Sequence, residues 1–124
     1  YKYFLDHSPP NWAAINDYAW VLLKGERFEE AQEAVEGGLA VFPDNAWLLN
    51  ALAIAKFERG DIEGAWETIQ KAKPLVYAVT EKEWLMAYPG NDPKIAYIGL
   101  ETFRNSVDEN IHRIQLALAS STVQ

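Results

Sequence analysis

Apolar residues recur every three or four positions along most of the chain, and the alternation typical of strands is absent. Gly25 and Gly60 end two of these periodic stretches, and Pro43 cannot continue the stretch before it. The pattern predicts four helices, over residues 12–24, 28–41, 46–59 and 62–72. Asn11 and Asn45 are the expected N-caps of the first and third helices.

A long helix is predicted at the C-terminal end of the chain. Asp92 and Pro93 suit the N-cap and the first helical position. They precede an apolar series at Ile95, Ile98, Phe103, Val107, Ile111, Ile114 and Leu118. Ser106 and Glu109 have the spacing of a capping box, so the helix either runs unbroken or restarts near Ser106. Either version would cover the core left exposed by the helices before it.

The chain repeats itself at a spacing of 34 residues. The shift aligns identical residues: Pro9 with Pro43, Asn11 with Asn45, Asn16 with Asn50, Ala19 with Ala53, and Ala31 with Ala65. Several coincidences in one register are the mark of a repeat array. We divide this single domain into the end of a preceding unit (1–10), two clear units (11–45 and 46–79), a degenerate third unit (80–107) and a C-terminal helix or cap (108–124). The chain is therefore interpreted as a fragment of a longer protein.

The third unit is visible when the phase of the repeat is carried forward. Ala53 then aligns with Ala87, and Ala65 aligns with Gly99. Thr80 lies three residues before Glu83, which is the spacing of a capping box. A short helix is predicted over about residues 81–88.

Small residues at the expected helix crossings, together with several larger residues at fixed positions, resemble the tetratricopeptide repeat consensus. The first unit carries Tyr18, Ala19, Ala31, Gly38, Leu39 and Pro43, and the second carries Leu52, Ala53, Gly60, Ala65 and Ala72. Glu26 departs from the pattern, because it stands where the family usually has a turn glycine and Gly25 comes one residue early. Lys73 and Tyr77 also depart from it. The resemblance implies an all-α fold, an α-solenoid of antiparallel helix hairpins wound into a right-handed superhelix.

The resemblance also implies where a ligand would bind, because the first helix of each hairpin in this family lines the concave face. Among the matching positions, the candidate binding residues are Asn16, Trp20, Lys24, Trp47, Asn50, Ile54, Phe57, Trp84 and Tyr88. Large aromatic side chains are typical of binding hot spots. Asn16 and Asn50 suit pairing with the main chain of an extended peptide. The alternatives are that the rings pack between helices or under the terminal helix, and that the asparagines are ordinary exposed residues.

Charge narrows the range of partners. The net charge is −7 and no run of Lys and Arg forms a basic stripe, which disfavours nucleic acid and anionic membranes. No apolar stretch approaches the ~20 residues that span a bilayer, so no membrane insertion is expected. The family's clamp for a terminal carboxylate needs several cations, whereas only Lys24 is in place and Glu58 and Glu81 are acidic. A hydrophobic or weakly basic segment suits the groove better.

Catalysis is not expected from this sequence. The two histidines, His7 and His112, lie in different end segments, and the chain has no cysteine. No metal or cofactor is therefore predicted. The sequence does not decide between a cytoplasmic and a periplasmic location. The expected function is non-catalytic binding of a protein or peptide partner. Two alternatives remain: a self-associating scaffold, as a homo-oligomer, and a regulatory appendage of an upstream enzyme domain.

Overall fold

The computed structural model describes residues 12–87 and 96–123, and this part of the chain forms six helices without a strand. The helices are α1 (Trp12–Lys24), α2 (Phe28–Val41), α3 (Ala46–Glu58), α4 (Ile62–Ala78), α5 (Glu81–Ala87) and α6 (Ala96–Val123). The predicted all-α fold class is confirmed. The predicted bounds of α1 and α2 agree with the observed ones, and α3 ends one residue earlier than predicted.

Successive helices pack against one another in chain order. Helix α1 packs on α2, α2 on α3, and α3 on α4, while α1 also meets α3. Only three or four residues separate neighbouring helices from α1 to α4, so each helix runs antiparallel to the one before it. Helix α6 then lies along α4 and also contacts α3 and α5. The result is a helical repeat-like arrangement covered on one side by its own last helix.

Two predicted caps are observed. The Asn45 side chain accepts a hydrogen bond from the backbone N–H of Leu48 at 3.0 Å, at the start of α3. Thr80 and Glu83 form the predicted capping box: the N–H of Glu83 donates to Thr80 Oγ1 at 3.1 Å, and the N–H of Thr80 donates to Glu83 Oε1 at 3.2 Å. The predicted cap at Asn11 lies outside the described residues. These helix starts follow from local side-chain chemistry.

Helices α1 and α3 end in the same type of left-handed turn. The N–H of Arg27 bonds the carbonyl of Leu22 at 2.8 Å, and the N–H of Glu26 bonds the carbonyl of Leu23 at 3.1 Å. This pair of bonds defines a Schellman motif, which requires a positive φ at the residue after the cap. Glu26 supplies it with φ 61°, and Gly60 supplies it with φ 88° at the equivalent place after α3. Glu26 therefore occupies a glycine position.

Replacing Glu26 with glycine is expected to raise the free energy of unfolding by about 0.5–1 kcal/mol. The left-handed conformation is unfavourable for a residue with a Cβ, and this gain exceeds the extra entropy of glycine in the unfolded chain. Urea unfolding followed by circular dichroism measures the change. The matched control is Glu33→Gly at an exposed interior position of α2, which is expected to destabilise by about 1 kcal/mol. A loss of stability in both variants would contradict the prediction.

Small residues allow the close helix crossings that the sequence predicted. Ala19, Ala31, Ala53, Ala65 and Ala72 are all fully inaccessible to solvent. A Cβ added at Gly38 would lie 3.0 Å from Ile15 Cγ2 and 3.1 Å from Leu48 Cδ1, which is tighter than ordinary contact. Helices of one hairpin approach this closely only where their facing positions lack bulk.

Helix α4 is longer than predicted. Its predicted end was residue 72, but it continues to Ala78 with Pro74 inside it. Proline removes one backbone hydrogen bond and disfavours helix interiors. The added turns bury Val76 completely in the cluster that also contains Val107 and Ile114 of α6. Packing against a helix distant in sequence therefore outweighs the local signal.

Helix α6 is continuous, so the predicted restart at Ser106 is wrong and the unbroken alternative is correct. Val107 and Ile114 are fully buried one above the other, seven residues apart on one face of the helix. This buried stripe spans the proposed boundary between residues 107 and 108, which therefore falls inside one helix. The predicted start at Asp92 lies outside the described residues.

Polar contacts also attach α6 to the end of α4. Arg104 Nη2 donates to the backbone carbonyls of Val79 at 3.0 Å and Tyr77 at 3.2 Å, and its guanidinium lies 5.3 Å from the centre of the Tyr77 ring. The Tyr77 hydroxyl donates to the Asp108 carboxylate, and this hydrogen bond raises the pKa of Tyr77 above its ordinary value.

Within residues 12–87 and 96–123, none of the helices has both the length and the apolarity to cross a membrane.

Candidate functional site

A groove of about 500 Å³ lies between α1 and the first half of α6, and we call it the α1–α6 groove. Its volume falls in the range of ligand-binding clefts, ~300–1,000 Å³. Helices α3 and α5 contribute the remaining side chains. The lining residues are Asn16, Asp17, Trp20, Lys24, Trp47, Asn50, Trp84, Gly99, Thr102, Phe103 and Ser106. The groove thus contains six of the nine predicted site residues.

Aromatic rings form one side of the groove. Trp47 is central: it stacks on Phe103 of α6 with centroids 5.3 Å apart and planes 11° apart, and it meets Trp12 at 4.5 Å and Trp84 at 6.2 Å. Trp47 and Trp84 are only 7% and 9% exposed, whereas Trp20 is half-buried. The interpretation that some rings pack under the terminal helix therefore holds for Trp47 and Trp84. Each also presents part of its ring to the groove.

The contact between α5 and α6 depends on a glycine. A Cβ at Gly99 would lie 2.7 Å from Trp84 Cζ2, closer than side-chain carbons approach. Because Gly99 has no side chain, the Trp84 ring lies directly against the backbone of α6. This close approach helps to set the shape of the groove where α5 meets α6.

The two repeated asparagines have different environments. Asn110 of α6 donates from Nδ2 to Asn50 Oδ1 at 3.3 Å, and this pair is buried. Asn16 is 5% exposed, and its Oδ1 is buried with no hydrogen-bond partner in the described part of the chain. The side-chain oxygen of Asn50 is thus hydrogen-bonded within the chain, whereas the side-chain oxygen of Asn16 has no partner in the described residues.

A second unsatisfied polar atom belongs to the same groove. The indole Nε1 of Trp47 is buried and has no hydrogen-bond partner among the residues that the structure describes. An unpaired buried donor or acceptor costs about 1–3 kcal/mol, and such groups are uncommon in folded proteins. The side chains that line the groove therefore include an unpaired donor on Trp47 and an unpaired acceptor on Asn16. Both atoms are inaccessible to solvent as they stand, so a bound group would recover this cost only after the side chain turned its polar atom toward the groove.

Two opposite charges stand on the α1 side of the groove. Asp17 and Lys24 are both exposed, and neither forms an ion pair within residues 12–87 and 96–123. They are seven residues apart, which places them on one stripe of α1 about 10.5 Å from each other along its axis. Trp20 lies between them on the same stripe. A ligand in the groove would meet a carboxylate at one end and an ammonium at the other.

Three predicted site residues do not line the groove. Ile54 is 8% exposed and packs in the core with Leu22 and Leu23. Phe57 is half-buried, and the guanidinium of Arg113 lies 5.1 Å from its ring centre because α6 continues over this end of α3. Tyr88 lies outside the described residues. The predicted concave surface is thus covered by α6 along the C-terminal part of α3.

Five lining residues were missed by the sequence reasoning. They are Asp17, Gly99, Thr102, Phe103 and Ser106. Asp17 follows the predicted Asn16 directly, and its seven-residue spacing from Lys24 was a signal that could have found it. The other four lie on α6, and their part in the groove arises from the way that α6 folds back across α1 and α3.

The described residues offer non-covalent binding chemistry. Among residues 12–87 and 96–123, no three His, Asp or Glu side chains come together as metal ligands, and His112 is exposed on α6. His7 lies outside the described residues. The groove itself provides aromatic side chains, the hydroxyls of Thr102 and Ser106, the amides of Asn16 and Asn50, and two opposite charges. Together these features suit recognition of a short chain segment.

Comparison with known proteins adds one distant similarity. No protein-family model and no solved structure matches the chain with significance. The chain is similar to Protein POLLENLESS 3-LIKE 2 of Arabidopsis thaliana, with 28% identity over 104 residues. The aligned region covers 82% of this chain and 24% of that protein. The chain thus spans about a quarter of the length of the curated relative that it matches.

Proposed function

We propose that this chain is a tetratricopeptide-like, non-catalytic interaction module that binds an extended peptide segment of a protein partner in the α1–α6 groove. The supporting observation is the pair of unsatisfied buried polar atoms, Asn16 Oδ1 and Trp47 Nε1, on side chains that line a groove rich in aromatic residues. An extended peptide carries both an N–H and a C=O at most residues, so it complements an acceptor and a donor together.

A packing defect explains these unsatisfied atoms less well than a binding site does. An apolar residue of similar shape at position 16 would be neutral or stabilising, because it would leave no buried oxygen without a partner. A polar side chain that lowers stability in this way is typical of binding surfaces, where stability is given up for function. Aromatic residues beside it supply contact area at low entropic cost.

The test uses substitutions with opposite expected effects on stability and binding. Asn16→Leu removes the unpaired oxygen, so the free energy of unfolding is expected to stay unchanged or rise. The same variant is expected to bind peptides about ten-fold more weakly, since it loses one hydrogen bond worth ~1 kcal/mol or more. Peptides are selected from a random-sequence display library on the native chain, and their affinities are measured by fluorescence polarisation.

The matched control is Asn105→Leu, the same substitution at an exposed position of α6 outside the groove. It is expected to leave the affinity unchanged. Selection of no peptide from the library, or equal affinities for both variants and the native chain, would show that the groove is not a peptide site. Circular dichroism on each variant confirms that the helical fold is retained.

A further inference from the structure

We infer that the partner segment in the α1–α6 groove presents an acidic side chain to Lys24 and a basic side chain to Asp17. This inference rests on the proposed function and deepens it, because it names the charge pattern that the groove selects. Three features carry it: the ion pair at the equivalent place of the second repeat unit, the isolation of the two groove charges, and the ring that lies between them.

Helix α6 shows how a covering segment meets the first helix of a repeat unit. Lys24 of α1 corresponds to Glu58 of α3, which comes 34 residues later. Where α6 lies over α3, Arg113 Nη2 is 3.6 Å from Glu58 Oε1, so the covering segment places the opposite charge at this repeat position. A segment that covers α1 is expected to do the same. Because Lys24 has the opposite charge to Glu58, its partner there is acidic.

The two charges of the groove are isolated from other charges. Asp17 and Lys24 are the only charged residues that line the groove within the described part of the chain. Both are exposed, and neither has an ion-pair partner there. A covering segment either supplies the opposite charge to each or removes water from an unpaired charge, which is unfavourable. The first case requires a basic side chain at Asp17 and an acidic one at Lys24.

Trp20 supplies apolar surface between the two charges. Its side chain lines the groove, is half-buried, and lies on the same stripe of α1 about one turn from each charge. The charges are about 10.5 Å apart along the helix axis, and one residue spans at most ~3.6 Å. The two charged residues of the ligand are therefore separated by at least one residue, and an apolar side chain there can pack on Trp20.

The net charge of the whole chain favours a different ligand. A charge of −7 attracts any basic peptide at long range. In the groove, however, the two lining charges cancel, and a uniformly basic segment would set a cation against Lys24. A segment with one charge of each sign is therefore expected to bind better than a basic segment of similar sequence.

The experiment selects peptides from one random-sequence display library on the native chain, on Lys24→Glu and on Asp17→Lys. The native chain is expected to enrich peptides that carry both a basic and an acidic residue. Lys24→Glu leaves two carboxylates in the groove and is expected to enrich peptides with two basic residues. Asp17→Lys leaves two ammonium groups and is expected to enrich peptides with two acidic residues.

Affinities then measure the Lys24 pair by itself. A peptide selected on the native chain is capped at both ends, so that only its side chains carry charge, and a derivative has its acidic residue replaced by the matching amide. On the native chain the derivative is expected to bind about three-fold more weakly, the usual size of one exposed ion pair. On Lys24→Glu this order is expected to reverse, because the parent carboxylate then meets another carboxylate. Fluorescence polarisation gives both ratios.

Two control variants separate the groove from the net charge. Lys82→Glu in α5 and Glu33→Lys in α2 make the same changes of net charge as the groove variants, at exposed positions that do not line the groove. Both are expected to select the same peptides as the native chain and to keep the native affinity ratio.

The outcomes distinguish this inference from the proposed function. If the groove variants and the native chain select the same peptides, or if the affinity ratio does not reverse on Lys24→Glu, the charge pattern is wrong. Peptides that need Asn16 but show no charge preference would overturn the inference and leave the proposed function standing. If the library yields no peptide on the native chain, both fail.

Discussion

Trp47→Ala is expected to lower the free energy of unfolding by about 3–5 kcal/mol, the usual cost of deleting a large buried aromatic side chain. Trp47 is 7% exposed and lies at the centre of a cluster with Trp12, Trp84 and Phe103. Its removal leaves a cavity between α1, α3 and α6, which these neighbours cannot fill without moving. Urea unfolding followed by far-UV circular dichroism measures the loss.

Trp47→Phe is the matched control for this prediction. It retains a ring to stack on Phe103 and removes the indole N–H that has no partner in the described residues, so its cost is expected to be below about 2 kcal/mol. If the alanine variant were as stable as the phenylalanine variant, Trp47 would not be the packing centre of the domain. A large difference places the aromatic cluster in the core.

Ile114→Ala is expected to destabilise the chain by about 2–5 kcal/mol. Ile114 is fully buried where α6 packs on α4, in the cluster that also contains Val76 and Val107. The loss should appear as one cooperative transition at lower urea, because α6 and the preceding helices share this core. Unfolding monitored by both circular dichroism and tryptophan fluorescence checks whether the two signals coincide.

Leu116→Ala provides the control on the same helix. Leu116 is 56% exposed, and its truncation is expected to change stability by no more than about 0.5 kcal/mol. Equal effects of the two substitutions would contradict the docking of α6 through its Ile114 face. Two separate transitions would mean that α6 unfolds separately from the other helices, and tryptophan fluorescence would report the first of them because Trp47 and Trp84 pack against α6.

The position of α6 links stability to the candidate site. Helix α6 supplies Gly99, Thr102, Phe103 and Ser106 to the groove, while Val107 and Ile114 hold the same helix on the core. A substitution that destabilises the packing of α6 is therefore expected to weaken the binding of any ligand that contacts these four residues. Binding assays on the groove need variants that preserve the fold, which is why Asn16→Leu carries the functional test.

Local sequence signals determined where most helices begin and end. The Asn45 cap, the Thr80 and Glu83 capping box and the turns after α1 and α3 depend on residues within one turn of each other. The small residues of the 34-residue repeat likewise predicted the close crossings. These features are readable from sequence because each depends on near neighbours or on a regular period. The same repeat register also predicted six of the residues that line the α1–α6 groove.

Only the tertiary structure decided the features that depend on α6. Helix α4 runs through Pro74 because Val76 packs against α6, and a local rule cannot foresee a partner about thirty residues away. Asn16 and Asn50 occupy equivalent positions of the repeat, yet α6 supplies a hydrogen bond to Asn50 alone. Identical residues in identical local settings acquire different roles because burial and pairing are set by the chain that folds over them.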